Sequence, residues 1–239
     1  MLFSYNFDII YIEGGERGVK MTEIKLSEIK SFVEKRLLDL VEYDEETGTF
    51  SPFLEFLREN TSTNFLEFKD LEAEELEKKG IYCANGLTKG VLIFDELDWV
   101  VKIPFDVNFP RSDINYCERE QFVYEQAKKR GIAEIFAESY FLMDFCGRPI
   151  YIMKKVEANE EKVSTDLYNR GISEGYEEED FQSMESEEQV EELLYYYYDE
   201  DFLQEYFAFC DEYEINDVHT SNIGYDENDK PVVIDYSGY

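Results

Sequence analysis

Three oxygen-bearing residues near the end of the sequence have a spacing that suits phosphate chemistry. Asp217 opens the run Asp217-Val218-His219-Thr220-Ser221-Asn222, and Asp235 lies thirteen residues past Asn222. Phosphoryl transfer needs little covalent help. It needs a metal to neutralise phosphate charge and a carboxylate to orient or deprotonate the attacking hydroxyl. Carboxylate and amide oxygens are hard donors that suit Mg²⁺. A loop ending in Asn, then a tight hairpin, then an Asp would return two such donors to one end of a domain. The alternative for the same residues is an acidic turn in a very acidic chain.

Asp217-Val218-His219-Thr220-Ser221-Asn222 resembles the Asp-aliphatic-His-x-x-Asn catalytic loop of aminoglycoside- and choline-kinase-like phosphotransferases, relatives of the protein kinases. Asp235-Tyr236-Ser237-Gly238 resembles a variant of their Asp-Phe-Gly metal motif. The resemblance implies Asp217 as catalytic base, Asn222 and Asp235 as metal ligands, and His219 as a structural support of the loop. It implies ATP and Mg²⁺ as cofactors. It covers residues 81–239, and the sequence stops four residues past Asp235. The activation segment and substrate-binding helices of ordinary kinases therefore have no counterpart in it. The implied fold is α+β and protein-kinase-like: a small antiparallel-sheet lobe at 81–156 and a truncated helical lobe at 157–239, behind a helical N-terminal extension at 21–80.

Lys102 sits inside the apolar run Trp99-Val100-Val101-Lys102-Ile103. A lysine there is unfavourable unless it finds a partner. By the resemblance it would hold nucleotide phosphates, with Val100 on the same strand face beneath the adenine. An edge-strand lysine reaching to water is the other reading. Kinase-like folds orient that lysine with a glutamate of the next helix. Glu118, Glu120 and Glu125 are candidates, and Glu120, eighteen residues after Lys102, is the choice. Gly86 and Gly90, in Ala84-Asn85-Gly86-Leu87-Thr88-Lys89-Gly90-Val91, are candidates to let backbone N–H groups approach phosphate. Asn-Gly is also an ordinary hairpin turn. Met153 falls where the resemblance puts the adenine hinge.

Elements to carry these residues are visible in the patterning. Apolar residues at helical spacing predict a helix over Thr22–Val41. Ser51-Pro52 reads as a helix start. An acidic helix over Leu71–Lys79 closes at Gly80. Short β-type runs follow at Ile81–Ala84, Gly90–Phe94 and Trp99–Ile103. Ser112 is the expected cap of a helix to Arg130. Strands are expected at Ser139–Phe145 and Ile150–Val156, and an irregular linker from Glu157 to Glu187. One helical stretch runs from Glu188 to Glu212, and a hairpin from Asn222 to Asp235.

Composition narrows the function classes. Acidic residues number 56 against 23 basic ones, a formal charge of −33. Such a chain repels nucleic-acid phosphates and anionic membranes, so neither is an expected partner. The expected partners are a nucleotide and an acceptor, protein or small molecule. A catalytically inactive, pseudokinase-like binding module is the second reading, its acidic surface engaging a basic protein of the host or of nucleic-acid handling. Cys83, Cys117, Cys146 and Cys210 form no C-x-x-C pair and His219 is the one histidine, so a zinc site is disfavoured. All four cysteines read as buried small apolar residues of a cytoplasmic chain. Purine-rich codons expected before Met21 resemble a bacterial ribosome-binding site. That makes residues 1–20 a possible translated leader and suggests a bacterial or phage source.

Overall fold

The computed structural model describes residues 26–41, 43–44, 49–106, 114–158, 160–174 and 184–237. The leader at 1–20, the Ser112 cap and Gly238 lie outside these residues. Among them the chain is α+β, with seven α-helices, a five-stranded antiparallel sheet and two smaller sheets. It divides into two compact units. One holds the described residues up to Glu118 together with Tyr140–Met153; the other holds Arg119–Ser139 and the chain from Lys154 onward.

The first unit begins with α1 (Leu26–Leu38), which buries Ile29, Val33 and Leu37 at the spacing read from the sequence. A two-residue ladder, β1 (Tyr43–Asp44) with β2 (Thr49–Phe50), leads to α2 (Pro52–Glu59). Ser51 caps α2 as expected: its side chain accepts from Leu54 N at 3.2 Å, and Pro52 takes the first helical position. The far end of α2 is closed by Arg148, whose Nε donates to Leu57 O at 2.6 Å and whose Nη2 donates to Arg58 O at 2.9 Å. A cation at a helix C-terminus also meets the negative end of the dipole. Helix α3 (Ser62–Lys78) is longer than the expected Leu71–Lys79. Thr61 caps it, and its first half carries the aromatics Phe65 and Phe68. Gly80 ends it at φ +66°, as expected of a glycine stop.

The five strands are β3 (Ile81–Asn85), β4 (Lys89–Phe94), β5 (Trp99–Pro104), β6 (Ser139–Phe145) and β7 (Arg148–Lys154), in spatial order β3-β4-β5-β7-β6. The turn into β7 is Cys146-Gly147, both at positive φ (50° and 79°). The strand starts at Arg148, two residues before the expected Ile150. Alternation along β4 and β5 sends Gly90, Leu92, Phe94, Val101 and Ile103 to one face. Helices α1–α3 cover that face and share one apolar core with it. Within the core Phe53, Phe56, Phe65, Phe68 and Phe105 meet tilted or edge to face, with centroids 5.0–6.2 Å apart. Each fully buried ring of this kind contributes about 1.5–3 kcal/mol.

The second unit opens with the bulk of α4 (Tyr116–Arg130). Asn115 caps this helix, its Oδ1 accepting from Cys117 N and Glu118 N at 3.1 Å each. The described residues of the expected linker at 157–187 are mostly regular. They contain β8 (Glu157–Ala158) and α5 (Glu160–Glu174), which buries Val163 and Leu167 one turn apart. Its apolar stripe is two residues wide within an acidic segment, too thin to stand out. The helical stretch at 188–212 is two helices, α6 (Ser186–Tyr197) and α7 (Glu200–Glu212). Asp199 breaks them apart by capping α7, accepting from Phe202 N at 2.9 Å. The hairpin is β9 (Ile223–Tyr225) and β10 (Pro231–Val233), and β8 joins it as a third strand on β9. Cys117 and Cys210 are buried, and burial pushes the Cys210 thiol up to about 12. Cys146 corrects the expectation for cysteines: it sits exposed in the β6–β7 turn.

Candidate functional site

The loop from Asp217 to Asn222 is ordered from inside. Asn222 is buried, with 6% of its surface exposed. Its side-chain Nδ2 donates to Asp217 O at 2.7 Å and lies 3.1 Å from His219 Nε2. With Nε2 as acceptor in this contact, the imidazole carries its proton on Nδ1. Asn222 N donates to His219 O at 2.8 Å, closing a 3-10 turn over Thr220–Asn222. Both jobs of the amide nitrogen lie within the loop, so Oδ1 is the side-chain atom left to ligate. The Asp217 carboxylate is half-buried, its Oδ1 3.7 Å from His219 Nε2. The loop is fixed from behind by Ser186, whose Oγ accepts from Thr220 N at 3.0 Å and shares a hydrogen bond with Thr220 Oγ1 at 2.9 Å.

Asp235 is joined to Asn222 through the backbone. Ile234 N donates to Asn222 O at 2.9 Å, which places the neighbouring Asp235 beside the end of the loop. Ser237, itself buried, donates to Asp235 Oδ1 at 2.8 Å. Tyr236 is wholly buried; its hydroxyl donates to Ala137 O at 2.6 Å and its ring meets Phe136 at 4.9 Å. Ala137 N in turn donates to Val233 O at 2.9 Å. Burial, then the nearby Glu120 carboxylate, holds the Tyr236 hydroxyl well above its ordinary pKa.

The hairpin carrying Asp235 is tethered at its other end too. Tyr198 donates to Pro231 O at 2.8 Å, and Lys162 pairs with Asp229 in the turn at 2.9 Å and with Glu157 of β8 at 2.8 Å. Tyr225, at the end of β9, donates to Asp166 of α5 at 3.2 Å; that carboxylate also receives Arg170 Nε at 2.8 Å and the Tyr197 hydroxyl. Gly224 is required by packing: a Cβ there would meet Val156 Cγ2 at 2.3 Å.

The remaining candidates stand as follows. Glu120 is fully buried on α4 of the second unit, whereas Glu118 is exposed and Glu125 half-buried. In the first unit Lys102 is 5% exposed on β5, opposite Val91. Val100, half-buried, lies on the same strand face and opposite Ile93. Met153 is buried on β7. Gly86 donates its backbone N–H to Lys89 O at 3.0 Å, across a tight tip at Leu87-Thr88. Gly90 faces the core, where a Cβ would meet Phe65 Cε2 at 2.5 Å. Ser186, Ser237 and Tyr198 were not singled out from the sequence. Only Ser237 carried a signal, its place two residues after Asp235.

No cluster of three or more His, Cys, Asp or Glu side chains suited to a metal occurs among the described residues. The donor set at the loop is smaller: one amide oxygen and one carboxylate. That set fits Mg²⁺, which is commonly held by one or two protein oxygens plus phosphates and water. No helix among the described residues is long and apolar enough to cross a membrane.

No protein-family profile matches the sequence, and no curated protein does. Among solved structures, the bifunctional kinase-methyltransferase WbdD is similar over 63% of this chain and 30% of its own, at 15% identity and a TM-score of 0.29. A complex of WbdD with a kinase inhibitor is similar over 64% of this chain and 31% of its own, at 14% identity and a TM-score of 0.27. The chain thus spans about a third of the length of the proteins it is similar to.

Proposed function

We propose that the chain is a kinase-like phosphotransferase that uses Mg²⁺ and ATP. The observation that carries this reading is the Asn222 amide. Its side-chain nitrogen is engaged inside the loop while its side-chain oxygen is left to ligate, and its backbone carbonyl accepts from Ile234, the residue before Asp235. In this reading Asn222 Oδ1 and the Asp235 carboxylate hold the metal. Asp217 accepts the proton of the attacking hydroxyl. Lys102 serves the nucleotide on its phosphates. Val100 and Met153 offer apolar surface to the base. Mg²⁺, when bound, supplies charge neutralisation to the transferring phosphoryl group. The acceptor is a hydroxyl on a protein or a small molecule.

A second reading has an observation of its own. From Gly171 to Asp229 the sequence contains no Lys or Arg. That stretch suits a basic protein partner, and a pseudokinase-like binding module would use it so. Incubation with γ-labelled ATP and Mg²⁺ separates the two. The phosphotransferase releases or transfers label, and Asp217→Asn slows this at least a hundredfold while leaving ATP binding within a fewfold. Binding of ATP with no turnover in the parent, with or without a basic protein acceptor, would favour the binding module.

A further inference from the structure

Lys89 and Lys102 are two buried cations on one face of one sheet. Each has 5% of its surface exposed. In the β4–β5 ladder Lys89 stands opposite Pro104, and Lys102 opposite Val91. Lys89 and Lys102 are therefore diagonal neighbours, and such positions lie about 7–8 Å apart. Both point away from the aromatic core, because Gly90 and Val101, next to them in sequence, point into it. The same outer face bears Val91, Ile93 and Val100, all half-buried. Aliphatic side chains beside two lysines make a surface suited to a ligand that is flat and apolar at one end and polyanionic at the other. A chain with formal charge −33 repels free phosphates, so it can hold one only where its few cations are gathered.

The loop between β3 and β4 explains why a second lysine would be needed. Two glycines in this loop suggest a backbone cradle for phosphate. The Gly86 N–H already donates to Lys89 O, and the missing side chain of Gly90 makes room for Phe65. The Gly86 N–H is thereby engaged, and Gly90 has a packing role of its own.

We propose that Lys89 is a second phosphate-binding residue, which acts with Lys102 on the polyphosphate chain of a nucleoside triphosphate and does with its ammonium what a glycine-rich loop does with backbone N–H groups. The proposal rests on the nucleotide-binding reading given above. Lys89 adds little to a nucleoside monophosphate and much to a triphosphate.

Titration calorimetry of the full chain with Mg-ATP, AMP and Mg-tripolyphosphate tests this, in the parent, Lys89→Met and Lys89→Arg. The expected result is a loss of at least tenfold in affinity for Mg-ATP and Mg-tripolyphosphate in Lys89→Met. AMP affinity stays within twofold, and Lys89→Arg recovers most of the loss. A residue of merely structural importance would weaken all three ligands alike. Should Lys89→Met fail to fold, Lys89→Gln is read by the same criteria. Mg-ATP binding within twofold of the parent in Lys89→Met, or equal losses for AMP and ATP, would overturn the proposal and leave the nucleotide reading standing. No Mg-ATP binding in the parent would overturn both.

Discussion

Two regions, the aromatic cluster of the first unit and the loop and hairpin of the second, are fixed by different physics. The first is fixed by aromatic burial: five phenylalanines from α2, α3 and the end of β5 pack into one cluster behind a regular sheet. The second fixes its loop and hairpin through hydrogen bonds at single atoms: Asn222 to Asp217, Tyr236 to Ala137, Tyr198 to Pro231, Tyr225 to Asp166. Apolar burial is strong but non-directional, and it suits a platform. Hydrogen bonds are individually modest and directional, so they can set the position of a carboxylate or amide within a few tenths of an ångström. The division suggests that damage to the first unit appears as lost stability, and damage to the second as lost ligand binding at smaller structural cost.

The largest expected effect lies in the aromatic cluster. Phe65→Ala removes a ring in contact with Phe56, Phe68 and Phe105, and a loss of about 3–5 kcal/mol is expected in urea titrations. A loss under about 1 kcal/mol would break the contrast between the units. Next is Gly224→Ala, which drives a Cβ into Val156 and is expected to destabilise by about 1–3 kcal/mol. Adding Val156→Ala should restore much of that loss, and a double variant no better than the single one would remove the packing account of Gly224. Tyr236→Phe leaves the buried Ala137 carbonyl without its donor; about 1–2 kcal/mol is expected, together with weaker Mg-ATP binding measured by calorimetry. The smallest effect is Ser237→Ala, at about 0.5–1.5 kcal/mol, because the bond to Asp235 is a single neighbour's hydroxyl. Here Mg-ATP affinity should fall more than the melting temperature does.

What the sequence revealed followed the same divide. Strands β3, β4 and β5 came out within a residue or so of their bounds, because short β-type runs between turn residues are a strong local signal. Ser51-Pro52 as a helix start was likewise a local pattern. The front half of α3 was missed because Phe65 and Phe68 sit among polar residues, and their burial comes from the sheet opposite. Helix α5 was hidden by acidity: Val163 and Leu167 are its visible apolar pair within the expected linker. In the loop, the types and spacing of Asp217, Asn222 and Asp235 were legible. Their supports were not, because Ser186, Ala137 and Tyr198 reach the site from elsewhere in the chain. A glycine-containing loop looked like a phosphate cradle, while Gly90 has a packing reason that only Phe65 reveals.

The most direct test of the central claim is thermal unfolding with and without Mg-ATP, in the parent and in Asp235→Ala. With ligand at about a hundred times its dissociation constant, the parent should gain about 2.7 kcal/mol. Asp235→Ala loses the Ser237 hydrogen bond, so it should melt somewhat below the parent without ligand and gain little with it. A parent that gains nothing from Mg-ATP, or an Asp235→Ala variant that gains as much as the parent, would contradict the account.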